Sequence, residues 1–222
     1  MFKLDTNLLH WKMLTAQNNK TEDDPVKKVI QSGLQSSCSV YVSSGKKQWS
    51  GSGFHIGNGL VITAAHVVPE EEQITELKIT FDNKNLLPAE VVVSKKDIDS
   101  AVLQCPGASS YPSIEIGDSD SLEIGDIVAV IGAPEGFHDT ATVGRVSNIH
   151  QTLGQSAPSA AWRDIIFVDA DILEGSSGGM VIGIDGKVYG IIMGVTGQHA
   201  DIGLGENAVS PINKIKSILS KL

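Results

Sequence analysis

The chain has 222 residues, of which 41% are apolar and 19% charged, and this composition excludes a disordered chain and indicates a globular one. Its 17 basic and 26 acidic residues give a net charge of −9, which argues against binding to nucleic acid or anionic lipid through counterion release. No stretch approaches the roughly 20 apolar residues that cross a bilayer, so neither nucleic acid nor a membrane is expected as a partner.

Residues 1–23 are polar, and we predict that they form a loosely held arm. They contain no apolar run of signal-peptide length, from which we expect a cytoplasmic location, although a mature chain whose export signal was removed would have the same sequence. The two cysteines, Cys38 and Cys105, lack metal-ligand spacing and are expected to be buried reduced thiols. No metal and no cofactor is expected.

A short helix is predicted after this arm. Asp24 can cap it, Pro25 suits its first position, and the apolar residues that follow share one face. Gly33 and the serines after it are expected to end the helix.

From Val40 onward the apolar residues recur with a period of two, which predicts a series of short strands. Asn58-Gly59 and Asp185-Gly186 stand between such runs and predict tight hairpins. Short strands at this spacing with few helices are typical of an all-β barrel or sandwich fold. The predicted strands are 40–42, 54–56, 60–62, 77–81, 89–93, 101–104, 127–131, 142–149, 165–168, 179–184 and 188–193.

The end of the chain has helical periodicity instead. Ser210 is a candidate cap, Pro211 suits the first helical position, and the isoleucines that follow lie on one face. We therefore predict a C-terminal helix over residues 211–222.

The segment from Glu174 to Gly179 has the composition of a nucleophile loop, because glycines around Ser177 let backbone N–H groups approach a substrate carbonyl. The N–H groups of Gly175 and Ser177 are the candidate oxyanion hole. The same letters also fit the Gly-x-Ser-x-Gly elbow of α/β-hydrolases. In that fold the acid, the histidine and a helix follow the serine, whereas here the following residues are typical of a hairpin.

His66 follows an apolar strand among small residues, where an imidazole has room to face a cleft. Asp99 directly precedes another apolar strand and could hold that imidazole in one tautomer. Asp97 is the alternative acid.

The order histidine, aspartate, serine on such strands resembles the trypsin-like (chymotrypsin-fold) serine proteases, and within them the HtrA/Deg branch. The resemblance implies an all-β fold of two packed six-stranded antiparallel β-barrels in one protease domain over residues 24–222. The first barrel would cover about 38–115 and the second about 120–210, without a C-terminal peptide-binding (PDZ) domain. The matching segments are 51–54, 63–67, 99–103, 117–120, 124–126, 131–134, 143–146, 169–172 and 175–179.

The resemblance also implies roles for the candidate residues. Ser177 would attack the scissile carbonyl of a protein or peptide substrate, His66 would act as general base and acid, and Asp99 would orient the imidazole. Ser176 stands where secreted members of the class carry an aspartate, so no activation by a newly cut N-terminus is expected. The chain is thus expected to be a serine endopeptidase.

Asp171 precedes Ser177 by six residues, the position that forms the floor of the specificity pocket in trypsin-like enzymes. Gly194 and Val195 would form one wall of this pocket, and residues 205–208 the other. A carboxylate at the floor favours Lys or Arg before the cut. In the HtrA pattern this position is usually small and apolar. The alternative is that Asp171 points to solvent, because the loop before an HtrA-type serine can rearrange.

Two other functions fit the same residues. The chain could be a catalytically silent pseudo-protease that only binds peptides, against which the intact set of three residues argues. It could also be a regulated effector, in which residues 1–23 or a regulatory protein partner controls the cleft.

Overall fold

The chain forms two β-sheets and two α-helices in the computed structural model, which describes residues 24–133, 140–152, 160–195 and 207–222. The predicted arm of residues 1–23 lies outside the described residues. In chain order the elements are α1 (Pro25–Ser36), β1 (Ser37–Ser44), β2 (Lys47–Gly57), β3 (Leu60–Thr63), β4 (Glu76–Thr80), β5 (Leu87–Pro88), β6 (Glu90–Lys95), β7 (Ser100–Gln104), β8 (Ile127–Gly132), β9 (Thr140–Gln151), β10 (Ile165–Val168), β11 (Met180–Gly183), β12 (Val188–Val195), β13 (Asn207–Pro211) and α2 (Asn213–Leu219).

The first sheet has seven antiparallel strands in the order β5-β4-β1-β2-β3-β7-β6. The predicted all-β class with two sheet units is confirmed, but this unit is an open sheet with one strand more than the six expected. The extra strand, Leu87–Pro88, is too short to give a period-two pattern. It lies at the sheet edge, where proline is tolerated because no neighbour needs its N–H.

The second sheet is a closed barrel of six strands, as predicted, in the order β10-β13-β12-β11-β8-β9. Its strand β13 was not predicted. Ser210 and Pro211 belong to β13 and do not start a helix, since Ser210 pairs with Ile191 and Pro211 with Gly190. The C-terminal helix is correspondingly shorter than predicted, at Asn213–Leu219.

Helix α1 begins as predicted, because Asp24 Oδ1 accepts hydrogen bonds from the N–H groups of Val26 and Lys27 at 3.0 and 3.3 Å. Gly33 does not end it. A Cβ at that position would overlap the Ile131 side chain on β8, so the glycine lets the helix approach the barrel closely. The sequence pattern predicted a helix end at Gly33, whereas the contact with Ile131 requires a small residue there.

One apolar core joins the two sheets. Most of its buried members come from the first sheet, the barrel and helix α2, and Ile114 and Ile212 lie in connecting segments. The buried members are Phe54, Ile62, Val102, Ile114, Ala129, Ile131, Met180, Ile182, Val188, Ile191, Ile212 and Ile215.

Cys38 and Cys105 are buried free thiols in the core of the first sheet. Burial is the main cause that raises the pKa of each thiol above its ordinary value. Both therefore stay protonated and unreactive at neutral pH. No helix in the described ranges has the length and apolarity needed to cross a membrane.

Candidate active site

His66 directly follows β3, in a 3-10 turn formed by Ala65–Val67. The fully buried side chain of Ala64 packs the start of this turn into the core, whereas the His66 side chain is 47% exposed. At the other end, the indole Nε1–H of Trp49 donates to the carbonyl oxygen of Val67 at 2.8 Å. The turn is therefore fixed at both ends while its imidazole remains accessible.

Asp99 lies immediately before β7 and has left-handed backbone geometry, with φ of 46°, which aspartate tolerates better than most residues. Its side chain is only 11% exposed and faces His66. Oδ1 accepts the backbone N–H of His66 at 3.0 Å, and Nδ1 of the imidazole lies 2.8 Å from Oδ2 and 3.0 Å from Oδ1. One carboxylate thus holds both the backbone and the ring of His66.

This contact determines which nitrogen of His66 carries the proton in the neutral ring. An ionised carboxylate only accepts hydrogen bonds, so Nδ1 must be the donor and Nε2 is left unprotonated, as a general base requires. Asp97, the alternative acid, is exposed, and its charge acts on Lys214. The geometry therefore pairs His66 with Asp99.

Ser177 lies in the loop between β10 and β11, where left-handed glycines make the turns. Gly175 and Gly178 have φ of 87° and 86°, a conformation that glycine adopts without steric cost. The Ser177 hydroxyl lies 3.4 Å from the carbonyl oxygen of Met193 on β12. A side chain at Gly178 would overlap β2, so this loop packs directly on the first sheet.

The backbone around Ser177 leaves two amide groups for a ligand. Among the described residues, neither Gly175 N–H nor Ser177 N–H donates a backbone hydrogen bond. The carbonyl oxygen of Ser176 accepts from Gly179 N–H at 2.9 Å, which fixes the peptide that carries Ser177 N–H. These are the two donors predicted for the oxyanion hole.

Gly51 on β2 shows that the serine loop and the histidine turn lie side by side. A Cβ at this position would be 2.6 Å from Val67 Cγ2, in the His66 turn, and 3.1 Å from the carbonyl oxygen of Ser177. Both segments therefore contact the same glycine. The structure brings the three predicted residues His66, Asp99 and Ser177 to one region between the sheets.

A cleft of about 530 Å³ opens beside the histidine and the aspartate. His66, Asp99 and Met193 line it together with Trp162, which belongs to the 3-10 turn Ala160–Trp162. An aromatic wall next to His66 can contact an apolar part of a substrate. Sequence reasoning missed Trp162 and Met193, because neither carries a motif.

Acidic residues after the histidine turn also line this cleft. Glu71 pairs with Lys96 at 2.8 Å and Glu72 with Lys47 at 2.9 Å. The hydrogen bonds from these lysines are the main cause that lowers the pKa of each carboxyl. The carboxylates are therefore ionised at neutral pH. The loop that carries them has no periodic pattern of apolar residues, so sequence reasoning did not identify it.

Of the predicted specificity residues, Gly194 and Val195 end strand β12, and Asn207 and Ala208 begin strand β13. Gly194 pairs with Ala208, and Val195 pairs with Asn207, so the two expected walls are neighbouring strands of one sheet. Residues 205 and 206 of the second wall lie outside the described residues.

Asp171 is connected to these strands through its neighbour. The side-chain amide of Asn207 donates to the carbonyl oxygen of Ala170, and the carbonyl oxygen of Asp171 accepts from Thr142 Oγ1 at 2.6 Å. Asp171 is exposed. The backbone of this segment is thus anchored to β13 through Asn207 and to β9 through Thr142, while Asp171 is open to solvent.

The fold is that of a trypsin-like peptidase. A family model described as a trypsin-like peptidase domain matches residues 51–191, and the chain belongs to that family.

The similar proteins are serine proteases of the HtrA/Deg type. The probable periplasmic serine endoprotease DegP-like of Halomonas elongata is 37% identical over 142 residues, which are 64% of this chain and 28% of the relative. The periplasmic serine endoprotease DegP of Escherichia coli is 31% identical over 166 residues, which are 74% of this chain and 33% of the relative. The chain spans about a third of the length of these curated relatives.

Among solved structures, the HtrA-type protease AlgW with a tripeptide is similar in fold. Its TM-score is 0.75 at 22% sequence identity, over 88% of this chain and 62% of the AlgW chain. The predicted fold and the predicted resemblance are both confirmed.

The expected cytoplasmic location is wrong. The relatives from Halomonas elongata and Escherichia coli are both named as periplasmic, which contradicts it. The expectation rested only on the polar character of the first residues, and that character carries no information about a signal removed during export.

Proposed function

We propose that this chain is a serine endopeptidase that hydrolyses peptide bonds of protein substrates outside the cytoplasm. The observation that carries this proposal is the His66–Asp99 contact, in which a nearly buried carboxylate holds the imidazole at 2.8 Å beside the loop of Ser177. The names of the relatives support the activity and the compartment.

The reaction follows from these groups. His66 Nε2 takes the proton of the Ser177 hydroxyl as its oxygen attacks the substrate carbonyl carbon, and Asp99 stabilises the imidazolium that forms. His66 then donates this proton to the leaving amine, and an acyl-enzyme remains on Ser177. Water, deprotonated by the same imidazole, hydrolyses the ester and restores the serine.

The negative oxygen of each tetrahedral intermediate needs donors in fixed positions. The N–H groups of Gly175 and Ser177 supply them in this proposal, and one such donor contributes about 10²–10³-fold to the rate. Apart from the hydrolytic water, the proposed reaction uses side chains and amide groups of this chain.

The proposal is tested with purified protein, unfolded casein and a pool of fluorogenic peptides. We expect hydrolysis that stops after preincubation with a fluorophosphonate, which esterifies an activated serine, and a single labelled residue at Ser177 by mass spectrometry. A protein that neither cleaves the substrates nor reacts with the fluorophosphonate would contradict the proposal.

Within this function we propose that Asp171 favours Lys or Arg before the cut. The support is its position six residues before Ser177 and the hydrogen bond from Asn207 to the carbonyl oxygen of Ala170, since Asn207 lies on β13, the strand that pairs with Gly194 and Val195 of β12. A substrate cation would cover the exposed carboxylate and form a charge-assisted hydrogen bond.

The charge at position 171 is tested by Asp171→Asn, which keeps the shape of the side chain. Cleavage after Lys and Arg is expected to fall about tenfold, the value of one charge-assisted hydrogen bond, and cleavage after Val or Ala to stay unchanged. Glu174→Gln is the matched control, since Glu174 is an exposed carboxylate in the same loop. Equal cleavage after Arg and Lys by both variants and the wild type would rule out this role.

A further inference from the structure

Ser52, a fully buried serine on β2, makes four hydrogen bonds to three other parts of the chain. Its N–H donates to the carbonyl oxygen of Ser177 at 2.8 Å, and its hydroxyl donates to the carbonyl oxygen of Gly175 at 2.8 Å. The hydroxyl oxygen accepts from Ala133 N–H at 2.9 Å, and the carbonyl oxygen accepts from Thr63 Oγ1 at 2.7 Å. Ser52 thus joins the first sheet, the end of β8 and the serine loop.

The direction of the Ser52 hydroxyl is determined by its two partners. Ala133 N–H can only donate, so it occupies a lone pair of Oγ, and the single hydroxyl proton is left for the Gly175 carbonyl, which can only accept. The site is buried, so water cannot readily replace either bond. Loss of the hydroxyl would therefore leave a buried carbonyl and a buried amide without these partners.

The two carbonyls that Ser52 holds belong to Gly175 and Ser177, the two residues whose N–H groups are the proposed oxyanion donors. Ser177 carries one donor, and its peptide is also held by the Gly179 N–H bond to Ser176. Gly175 carries the other donor, at φ of 87°, and has no side chain to restrict rotation. The Ser52 hydroxyl bond to the Gly175 carbonyl and the Ser176 N–H bond to the carbonyl oxygen of Leu173 at 3.0 Å together hold the peptide that joins Gly175 to Ser176.

We propose that Ser52 is a positioning residue: its hydroxyl holds the Gly175–Ser176 peptide, which lies in the chain between the two proposed donors, so that the N–H groups of Gly175 and Ser177 face the developing oxyanion. The inference rests on the proposed function. Ser52 does not touch the substrate in this role but acts through Gly175.

The structure offers a matched control on the adjacent strand. Ser39 lies directly opposite Ser52 in the β1–β2 pair, is also fully buried, and donates its hydroxyl to the carbonyl oxygen of the same Ala133 at 2.8 Å. Ser39→Ala therefore removes a buried hydrogen bond to the same Ala133 without touching the serine loop. Both alanine variants should lower the melting temperature, because each leaves buried polar groups without the hydroxyl.

The test compares Ser52→Ala and Ser39→Ala by peptide hydrolysis and by the rate of fluorophosphonate labelling. In Ser52→Ala we expect kcat and the labelling rate to fall together by about 10²-fold, the effect of one misplaced oxyanion donor. KM should change by less than about threefold, because the substrate contacts stay in place. Ser39→Ala should keep the wild-type rates.

A second variant keeps the test decisive if Ser52→Ala does not fold. Ser52→Cys keeps a weak donor and acceptor in a slightly larger side chain, so we expect a smaller fall in melting temperature than in Ser52→Ala together with a clear loss of rate. Rates in Ser52→Cys equal to those of Ser39→Ala would overturn the inference alone. An inactive wild type, unlabelled by the fluorophosphonate, would overturn the proposed function and the inference with it.

Discussion

Replacing Ser177 by alanine is expected to abolish hydrolysis of casein and of every fluorogenic peptide, with a loss in kcat of at least about 10⁴-fold. The substitution removes the oxygen that attacks the substrate, so no acyl-enzyme can form and no other group in the cleft can replace it. The fluorophosphonate should no longer label the protein. The fold should be retained, because the described contact of the hydroxyl is a long one, at 3.4 Å from the Met193 carbonyl oxygen.

The control for this variant is a serine away from the cleft. Ser121 is exposed and donates its hydroxyl to the carbonyl oxygen of Asp118 in a 3-10 turn on the surface. Ser121→Ala should keep the wild-type rate and labelling. Substantial hydrolysis by Ser177→Ala, at more than about a hundredth of the wild-type rate, would mean that another nucleophile or a contaminating protease is responsible.

Local signals in the sequence were sufficient to predict the elements that local interactions determine. Asp24 and Pro25 begin helix α1 because the cap and the fixed φ act within one turn. Asn58 and Gly59 form the β2–β3 turn, with φ of 54° and 73°, because both residues tolerate left-handed backbone. Such features depend on neighbours in the chain, which a sequence displays directly.

Elements that depend on distant contacts were assigned incorrectly. Gly33 and Ser210 have the residue types of helix ends, but Gly33 serves close packing against Ile131, and Ser210 lies in β13 and donates to the carbonyl oxygen of Ile98 at 2.8 Å. In both positions the tertiary contact outweighs local propensity. The sequence alone does not indicate which distant residue of the chain will contact such a position.

The candidate site also contains both residues that the sequence indicates and features that depend on distant contacts. His66, Asp99 and Ser177 were identified from residue type, order and the strands around them. The positive φ of Asp99 and the four bonds of Ser52 were not foreseeable, because they arise where two sheets and a loop meet. Supporting residues of this kind carry no motif of their own.

Asp99→Asn is expected to lower kcat by about 10⁴-fold while the protein stays folded. The asparagine has the shape of the aspartate, and its amide oxygen can still accept the backbone N–H of His66, which Asp99 Oδ1 accepts at 3.0 Å. Its NH₂ group then faces Nδ1 of the imidazole and can only donate to it. The ring must therefore carry its proton on Nε2, where it cannot take the proton of Ser177.

Asp97→Asn separates this effect from a general loss of negative charge near the cleft. Asp97 stands two positions earlier, is exposed, and its charge acts on Lys214, whose pKa is lowered mainly by burial. We expect Asp97→Asn to keep the wild-type kcat and fluorophosphonate labelling rate, and Asp99→Asn to lose both in parallel with little change in KM. The opposite pattern would transfer the role of the acid to Asp97. Similar modest losses in both variants would show that the carboxylates act only through their charge, and the tautomer argument for Asp99 would then be wrong.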